Sequence, residues 1–419
     1  MSELAAPRAR QRRRLKRLLA FAAVAGPGLI AANAGNDAGG ILTYASAGAQ
    51  FAYRTLFLMV VVTVALVVVQ EMCARLGAYT GKGLGALIRE QFPARASLTA
   101  LTLLLVANVG LTVSEFAGIG ASMSLLGVSR YIAVPVALVG LWVLTVYGNY
   151  SRGERAAMAL SIAFLAYPVA AILAHPDGRL IARDLLTPQF PHSTAFLLIA
   201  VALIGTTITP YMQFYVASAV VDKKIGPAQY PAERLDTING AVLSNIVSIF
   251  IIIATAAAIG GSGPLDSARE AASALEPAVG SAAPVLFGIG LLGASLLAAA
   301  VVPLSSSYAI AEAVGGERSV SDGLRRAPLF YGLFTLQVVV GAVVALAPGN
   351  LISLVVNMQV LNGLITPALL AFVLILANRR DVLGNAANHG WFRVLATVCV
   401  AAIGVLALAV VVIKAAGLG

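Results

Sequence analysis

The 419-residue sequence contains unusually few charged side chains. Only 11% of its residues are Asp, Glu, Lys or Arg, whereas about 25% is usual for a soluble domain. Hydrophobic residues make up 59% of the chain, and apolar runs of about 20 residues recur without strict alternation. These features exclude a soluble globular protein. They predict an all-α polytopic membrane protein, because a segment in lipid must satisfy its own backbone polar groups.

Side chains that bind transition metals, form disulfides or act as nucleophiles are also scarce. Cys73 and Cys399 lie in different segments without metal-ligand spacing, so they are interpreted as small buried side chains. The three histidines all fall in predicted loops. The sequence holds no Ser/His/Asp set, and residues 81–85 are too short and wrongly spaced to bind a nucleotide phosphate. It therefore predicts neither an enzyme nor a resident cofactor.

The apolar runs predict eleven membrane-spanning segments. They occupy residues 19–50, 55–76, 97–125, 131–149, 155–174, 194–220, 237–260, 283–313, 328–347, 351–377 and 391–414. Residues 1–18 are rich in Lys and Arg and predict a basic cytoplasmic tail lying against anionic headgroups.

The positive charges are distributed unevenly between the predicted loops. With the N-terminus in the cytoplasm, 22 of the 28 Lys and Arg residues fall on the inner side. This bias predicts a cytoplasmic N-terminus, an external C-terminus and a location in the cell (plasma) membrane. It also accounts for the net charge of +10 without nucleic-acid binding. The lipid bilayer is the predicted surrounding, and the chain is expected to work as a monomer.

The first predicted span is interrupted by residues 33–40, which read Asn-Ala-Gly-Asn-Asp-Ala-Gly-Gly. Each glycine costs a helix about 1 kcal/mol relative to alanine, and a carboxylate at bilayer depth costs roughly 2.5–3.5 kcal/mol on insertion scales. Such breaks are tolerated mainly where unwound backbone lines a cavity. Asp37 is therefore a candidate ion ligand; the alternative is a structural cap on the second half of the helix.

The sixth predicted span is interrupted at residues 205–213, which read Gly-Thr-Thr-Ile-Thr-Pro-Tyr-Met-Gln. Pro210 removes a backbone donor and breaks the helix. The threonines before it either satisfy freed carbonyls or face a ligand. Two breaks five spans apart predict two inverted five-helix repeats, 19–174 and 194–377, that meet at the midplane, with 391–414 outside the repeat.

Short motifs at both breaks and elsewhere match one known family. They are residues 26–30, 37–40, 75–82 and 209–211, together with Glu115, Asn245 and Gln359. On these residues the chain resembles the Nramp family of divalent-metal transporters. The resemblance implies a LeuT-type inverted repeat with broken helices one and six, plus an eleventh helix.

The chain departs from the family pattern at four positions. Gly40 stands where the family has an asparagine ligand, and Thr209 stands where it has a methionine ligand. Tyr211 replaces a histidine, and Thr112 replaces an aspartate. This combination resembles the Nramp-related magnesium-transporter branch.

The resemblance and the departures together imply an oxygen-only metal site. Its candidate members are the Asp37 carboxylate, the Gln359 amide, the Thr206 carbonyl, the Thr209 hydroxyl, backbone oxygens near Ala34, and the neighbouring Asn36 and Gly40. Such oxygens suit hard cations, and Mg²⁺ usually keeps several waters. The expected cargo is partly hydrated Mg²⁺, with Mn²⁺ also accepted, and Gly40 is expected to enlarge the cavity.

Three further residues are candidates for gating or a proton path: Glu115, Tyr211 and Asn245. Tyrosine titrates near pH 10, so its presence in place of a histidine predicts weak or absent proton coupling. Two alternatives stay open: a proton-coupled Mn²⁺/Fe²⁺ transporter, and a LeuT-fold transporter of an organic solute. Asp37 would repel an anionic solute, which favours a cation. A channel is a third alternative, which saturation of flux would distinguish.

Overall fold

A computed structural model describes residues 36–147, 159–160, 162–191, 193–314 and 327–417. Across these ranges the ordered elements are all helical. The basic tail, the first half of the predicted first span and Ala34 lie outside the described residues. So does much of the first half of the fifth predicted span.

The described chain forms seventeen α-helices, joined in places by short 3₁₀ turns. In chain order they are α1 (Ala38–Phe51), α2 (Leu56–Thr80), α3 (Leu84–Gln91), α4 (Ala94–Leu125), α5 (Arg130–Val146), α6 (Ala166–Leu173), α7 (Gly178–Leu186), α8 (Thr194–Thr207), α9 (Pro210–Asp222), α10 (Tyr230–Ile259), α11 (Ala268–Ser273), α12 (Glu276–Val279), α13 (Ala283–Val314), α14 (Pro328–Ala345), α15 (Leu351–Asn378), α16 (Arg380–Leu383) and α17 (Gly390–Ala415).

Within the described ranges, eight helical segments are long and apolar enough to cross a membrane. They are 38–80, 94–125, 194–222, 230–259, 276–314, 328–345, 351–378 and 390–415, and two shorter apolar segments cover 130–146 and 162–173. The prediction of a multi-pass helical membrane protein is confirmed. The count of eleven spans stays a prediction, since part of the chain is outside the described residues.

Helix α4 lies at the centre of the fold. It packs against α13, α14 and α15, while α1 and α2 pack against α10, and α8 packs against α15. Small residues permit the closest of these approaches: a Cβ on Gly205 of α8 would lie 2.1 Å from the Gln359 carbonyl oxygen of α15. Glycine at such a crossing lets two backbones touch, as is common in membrane helices.

The outer faces of the bundle are apolar. On α5, Val136 and Val139 are exposed, and on α17, Val398, Val405 and Val412 are exposed at seven-residue spacing. Because hydrocarbon accepts such side chains without cost, these stripes fit a lipid-facing surface.

A polar network ties the end of α2 to two distant segments. Glu71 accepts a hydrogen bond from the Tyr230 hydroxyl at the start of α10 and pairs with Arg75 at 3.2 Å. Arg75 also donates to the Ala386 carbonyl at 3.0 Å and to the Asn388 side chain. These contacts fasten the C-terminal part of α2 to the start of α10 and to the segment before α17.

Candidate functional site

Helix α1 begins abruptly at Asp37, the residue that caps its N-terminus. The Asp37 backbone is extended (φ −72°, ψ 174°), and one carboxylate oxygen accepts a hydrogen bond from the Gly40 N–H at 2.6 Å. Asp37 is 5% exposed. The sequence offered capping and ligation as alternatives, and the structure places the capping bond on one oxygen, Oδ1, so the two roles are compatible.

A second carboxylate reaches the same helix end from α4. The two oxygens of Glu115 accept hydrogen bonds from the Ala38 and Gly39 N–H groups at 3.2 and 3.4 Å. A helix start leaves its first N–H groups without intrahelical partners. Here the first three all point at carboxylate oxygens, while the Ile41 N–H bonds the Asp37 carbonyl at 3.0 Å.

The second break separates α8 from α9 at Ile208 and Thr209. Helix α9 begins with Pro210, whose missing N–H costs nothing at a first helical position. Side chains of α15 contact this segment: Asn362 donates to the Gly205 carbonyl oxygen at 2.6 Å. The Thr366 hydroxyl donates to the Asn362 carbonyl of its own helix at 2.8 Å and lies 3.4 Å from the Ile208 carbonyl oxygen. The break is thus held open by side chains of another helix.

Three predicted site residues each carry a buried oxygen that has no hydrogen-bond partner among the described residues. They are Oγ1 of Thr206, Oγ1 of Thr209 and Oε1 of Gln359. The exposed fraction of these three residues is 2% or less. A buried polar atom without a partner is costly, so these oxygens are candidate ligand atoms.

The turn that begins α1 brings the candidate ligands together. A Cβ on Gly39 would lie 1.9 Å from Nε2 of Gln359 and 3.3 Å from Oδ1 of Asp37. A Cβ on Gly40 would lie 3.2 Å from Oγ1 of Thr206 and 3.3 Å from the same Asp37 oxygen. The amide, the hydroxyl and the carboxylate therefore surround one turn, which only glycine leaves open at position 39.

The expectation that Gly40 enlarges the cavity is wrong. The Tyr44 ring and the Thr206 hydroxyl both lie 3.2 Å from the point where a Gly40 Cβ would be. Tyr44 is held there by a 3.0 Å hydrogen bond between its hydroxyl and that of Thr207. A tyrosine one helical turn away thus occupies the space next to the glycine, and Gly40 does not line the cavity.

A cavity of about 270 Å³ opens beside the α1 break. Asn36, Asp37 and Tyr211 line it at the break, and it follows α9 and α10 to Lys223 and Asp236. The cavity therefore connects Asp37 with the end of the bundle where α9 and α10 are joined.

Two predicted residues contribute to the wall of this cavity without facing Asp37. Asn36 accepts a hydrogen bond from the Ser248 hydroxyl of α10 at 2.9 Å, so it fastens the α1 break to that helix. Asn245 donates to the Ala241 carbonyl of its own helix at 3.4 Å. Thr112 likewise donates within its own helix, to the Asn108 carbonyl at 2.7 Å.

The predicted residues thus fall into groups. Those that meet at the start of α1 are Asp37, Thr206 and Gln359. Those that line the cavity are Asn36, Asp37, Tyr211 and Asn245. Thr209 caps α9 through its backbone only, Glu115 lies against the first peptide groups of α1, and Ala34 is outside the described residues.

Sequence reasoning missed Tyr44, Asn362 and Thr366. The signal for Tyr44 was its position one turn after Gly40 on the same helix face. Asn362 stands three residues after Gln359 in an apolar helix, where a polar side chain needs a partner.

The chain matches a family model described as "Natural resistance-associated macrophage protein-like" over residues 28–413. It is 26% identical over 386 residues to the divalent metal cation transporter MntH of Bacillus subtilis, covering 88% of this chain and 87% of that one. It is 33% identical over 300 residues to MntH of Ralstonia nicotianae, covering 67% of this chain and 66% of that one.

Solved structures share the fold. A manganese transporter of Eremococcus coleocola superposes with a TM-score of 0.74 at 20% identity, covering 92% of this chain and 85% of that chain. Mhp1, a nucleobase-cation-symport-1 family transporter, superposes with a TM-score of 0.57 at 16% identity, covering 93% of each chain. The predicted LeuT-like fold class is therefore confirmed.

The α15 side chains that support the second break yield a first prediction. Replacing Asn362 by Leu leaves the Gly205 carbonyl without its partner and should lower the free energy of unfolding by about 1–3 kcal/mol. The measurement is denaturation by SDS in mixed micelles. Thr366→Val is the matched control and should cost less, because the Thr366 hydroxyl donates within its own helix and lies 3.4 Å from the Ile208 carbonyl oxygen. Equal stability of Asn362→Leu and the parent protein would contradict this role.

Proposed function

Because the chain belongs to the natural resistance-associated macrophage protein-like (Nramp) family, whose members are transporters and not enzymes, we propose that it carries divalent metal cations across the membrane by alternating access. The observation that carries the proposal is the convergence of the Asp37 carboxylate with the Thr206 and Gln359 side chains at the start of α1. MntH relatives, named as divalent metal cation transporters, support the same cargo.

The charge of the site favours a cation over an organic anion. Among the described residues, no Lys, Arg or His forms an ion pair with Asp37. A buried carboxylate without a cationic partner is unfavourable in a low-dielectric interior. A bound metal ion supplies that partner, whereas an anionic solute would add repulsion. The likeness to Mhp1 extends to the fold alone.

The donor atoms favour a hard ion. Carboxylate, amide and hydroxyl oxygens suit Mg²⁺ and Mn²⁺, and Mg²⁺ retains several waters when only one or two carboxylates are offered. Met212 lines the same cavity, but its sulfur accepts a 3.0 Å hydrogen bond from Gln70. We therefore assign partly hydrated Mg²⁺ as the preferred cargo, with Mn²⁺ also carried, as expected for the Nramp-related magnesium-transporter branch.

The proposed topology has the N-terminus in the cytoplasm. The positive-inside bias supports this orientation, and it places the Lys223–Asp236 end of the cavity on the cytoplasmic side. In this arrangement the site is open inward. Repeats 19–174 and 194–377, each of five spans, would move relative to each other around Asp37, with the eleventh span at 391–414 and the chain acting as a monomer.

Proton coupling is proposed to be weak. Tyr211 stands at the deep end of the cavity, packed in an apolar cluster with Leu111, Ala298 and Val302. Thr112 directs its hydroxyl to its own helix. Neither side chain exchanges a proton at neutral pH, so Glu115 and Asp37 are the titratable carboxylates at the start of α1 in the part of the chain that the structure describes.

The role of Asp37 as a metal ligand is testable by separating its charge from its capping bond. Asp37→Asn retains a good N-cap but removes the charge, so saturable Mg²⁺ and Mn²⁺ uptake into proteoliposomes should be lost while the melting temperature is nearly unchanged. Asp37→Ala should lose uptake and also about 1 kcal/mol of stability.

The matched control is Asp177→Asn, because Asp177 caps the surface helix α7 in the same way. It should leave uptake unchanged. Uptake by Asp37→Asn equal to that of the parent protein would overturn the assignment.

The preference of the site for hard over soft metal ions is tested at Thr209. Thr209→Met adds a soft thioether at the second break and should raise the preference for Cd²⁺ over Mn²⁺ by about tenfold, equivalent to ~1.4 kcal/mol. Competition between the two ions for uptake measures this ratio. An unchanged ratio would show that Thr209 does not face the ion.

The coupling proposal is tested with a pH-sensitive dye inside the vesicles. Mn²⁺ entry driven by a membrane potential should produce little acidification compared with a reconstituted proton-coupled relative. Acidification that matches the relative, per ion transported, would contradict weak coupling.

A further inference from the structure

Glu115 occupies a position that a helix would ordinarily offer to an external anion. Its two carboxylate oxygens accept the Ala38 and Gly39 N–H groups, and the Asp37 carboxylate accepts the Gly40 N–H. All three orphan donors at the start of α1 are therefore bound to negative oxygens belonging to the chain itself.

A bare helix N-terminus carries roughly half a positive charge and binds phosphate, sulfate or carboxylate through its free N–H groups. At a helix break in the membrane it would attract an anionic substrate and repel a cation. The start of α1 is such a terminus, so its N–H groups have to be neutralised before a divalent ion can approach Asp37. Glu115 accepts two of the three.

The packing of α4 holds Glu115 in this place. Gly118, one turn further along α4, lies so close to α1 that a Cβ on it would be 2.5 Å from the Ala38 Cβ. Glu115 is 0% exposed, and among the described residues it forms no ion pair with a cationic side chain. Among the described residues, the two N–H groups are the hydrogen-bond donors to its carboxylate.

We propose that Glu115 is a positioning residue that sets the sign of charge accepted by the site: it fills the anion position of the broken helix and thereby allows a divalent cation to bind at Asp37. The inference rests on the proposed function of divalent-cation transport. It predicts that without the Glu115 side chain the start of α1 is a carboxylate-binding position, open to formate or acetate.

The test is chemical rescue in proteoliposomes. Glu115→Ala should reduce saturable Mn²⁺ uptake by about tenfold or more, as expected for loss of two hydrogen bonds to a charged group. Formate should restore a large part of the lost uptake, because it can occupy the vacated space and accept the Ala38 and Gly39 N–H groups. Formate should also raise the melting temperature of purified Glu115→Ala but not that of the parent protein.

Two variants provide the controls. Glu115→Gln keeps the size of the side chain but removes its charge, and its amide occupies the space that formate would need. This variant should transport poorly, have a melting temperature close to that of the parent protein and show no response to formate. Glu270→Ala removes a carboxylate that accepts a backbone N–H at 3.0 Å in the outer loop. It should transport normally with or without formate.

The outcomes separate the two proposals. If the parent protein shows no saturable Mn²⁺ uptake, the proposed function fails. If the parent transports and Glu115→Ala either transports equally well or is neither rescued nor stabilised by formate, the role of Glu115 is overturned. Should Glu115→Ala prove too unstable to purify, Glu115→Gln decides: transport like the parent overturns the role, and poor transport with a parent-like melting temperature supports it.

Discussion

The structure depends on how the peptide groups freed at two helix ends, the start of α1 and the end of α8, find partners inside a membrane. Hydrocarbon offers none, and each unsatisfied group costs several kcal/mol. At the first break the free donors of α1 are bound by Asp37 and Glu115. At the end of α8 the Asn362 amide donates to the Gly205 carbonyl. The free donors are thus bound by carboxylates, and a free acceptor is bound by an amide.

The candidate site consists of oxygen atoms that this arrangement leaves without hydrogen-bond partners. Among the described residues, the hydroxyls of Thr206 and Thr209 are without partners, as is the Gln359 carbonyl oxygen. Only the Oδ1 oxygen of Asp37 is used by the Gly40 N–H bond. These oxygen atoms lie next to a negative charge, that of Asp37, and Asp37 lines the cavity that reaches the α9–α10 end of the bundle. Oxygen atoms beside a carboxylate are the ligands that suit a hard, partly hydrated dication.

The sequence was sufficient to locate the start of α1 and the break between α8 and α9, because glycines, a carboxylate and a proline are expensive in the middle of a spanning helix. The Thr206 carbonyl was expected beside Asp37 and Gln359, whereas the structure brings the Thr206 hydroxyl there, and ligation by these residues stays a prediction. The partner of each break was not predictable in the same way. Glu115 and Ala38 are separated by 77 positions, and Asn362 and Gly205 by 157, so pairing depends on which faces of the helices pack together.

The environment of Gly40 shows the same limit. A glycine leaves an open space only where no neighbouring side chain occupies it. Here the Tyr44 ring, held by its hydrogen bond to Thr207, lies next to Gly40. Local composition therefore predicts where a site is and which atoms it offers, whereas its shape is set by packing between distant helices.

The most direct test of the central claim is a structure determined from crystals soaked in Mn²⁺, with anomalous scattering used to locate the ion. The account predicts an anomalous peak bounded by the Asp37 carboxylate, the Gln359 amide oxygen and the Thr206–Thr209 segment, with Glu115 still bonded to the start of α1. A peak found only near Glu233 and Asp236 at the far end of the cavity, or Asp37 turned away from the ion, would contradict it.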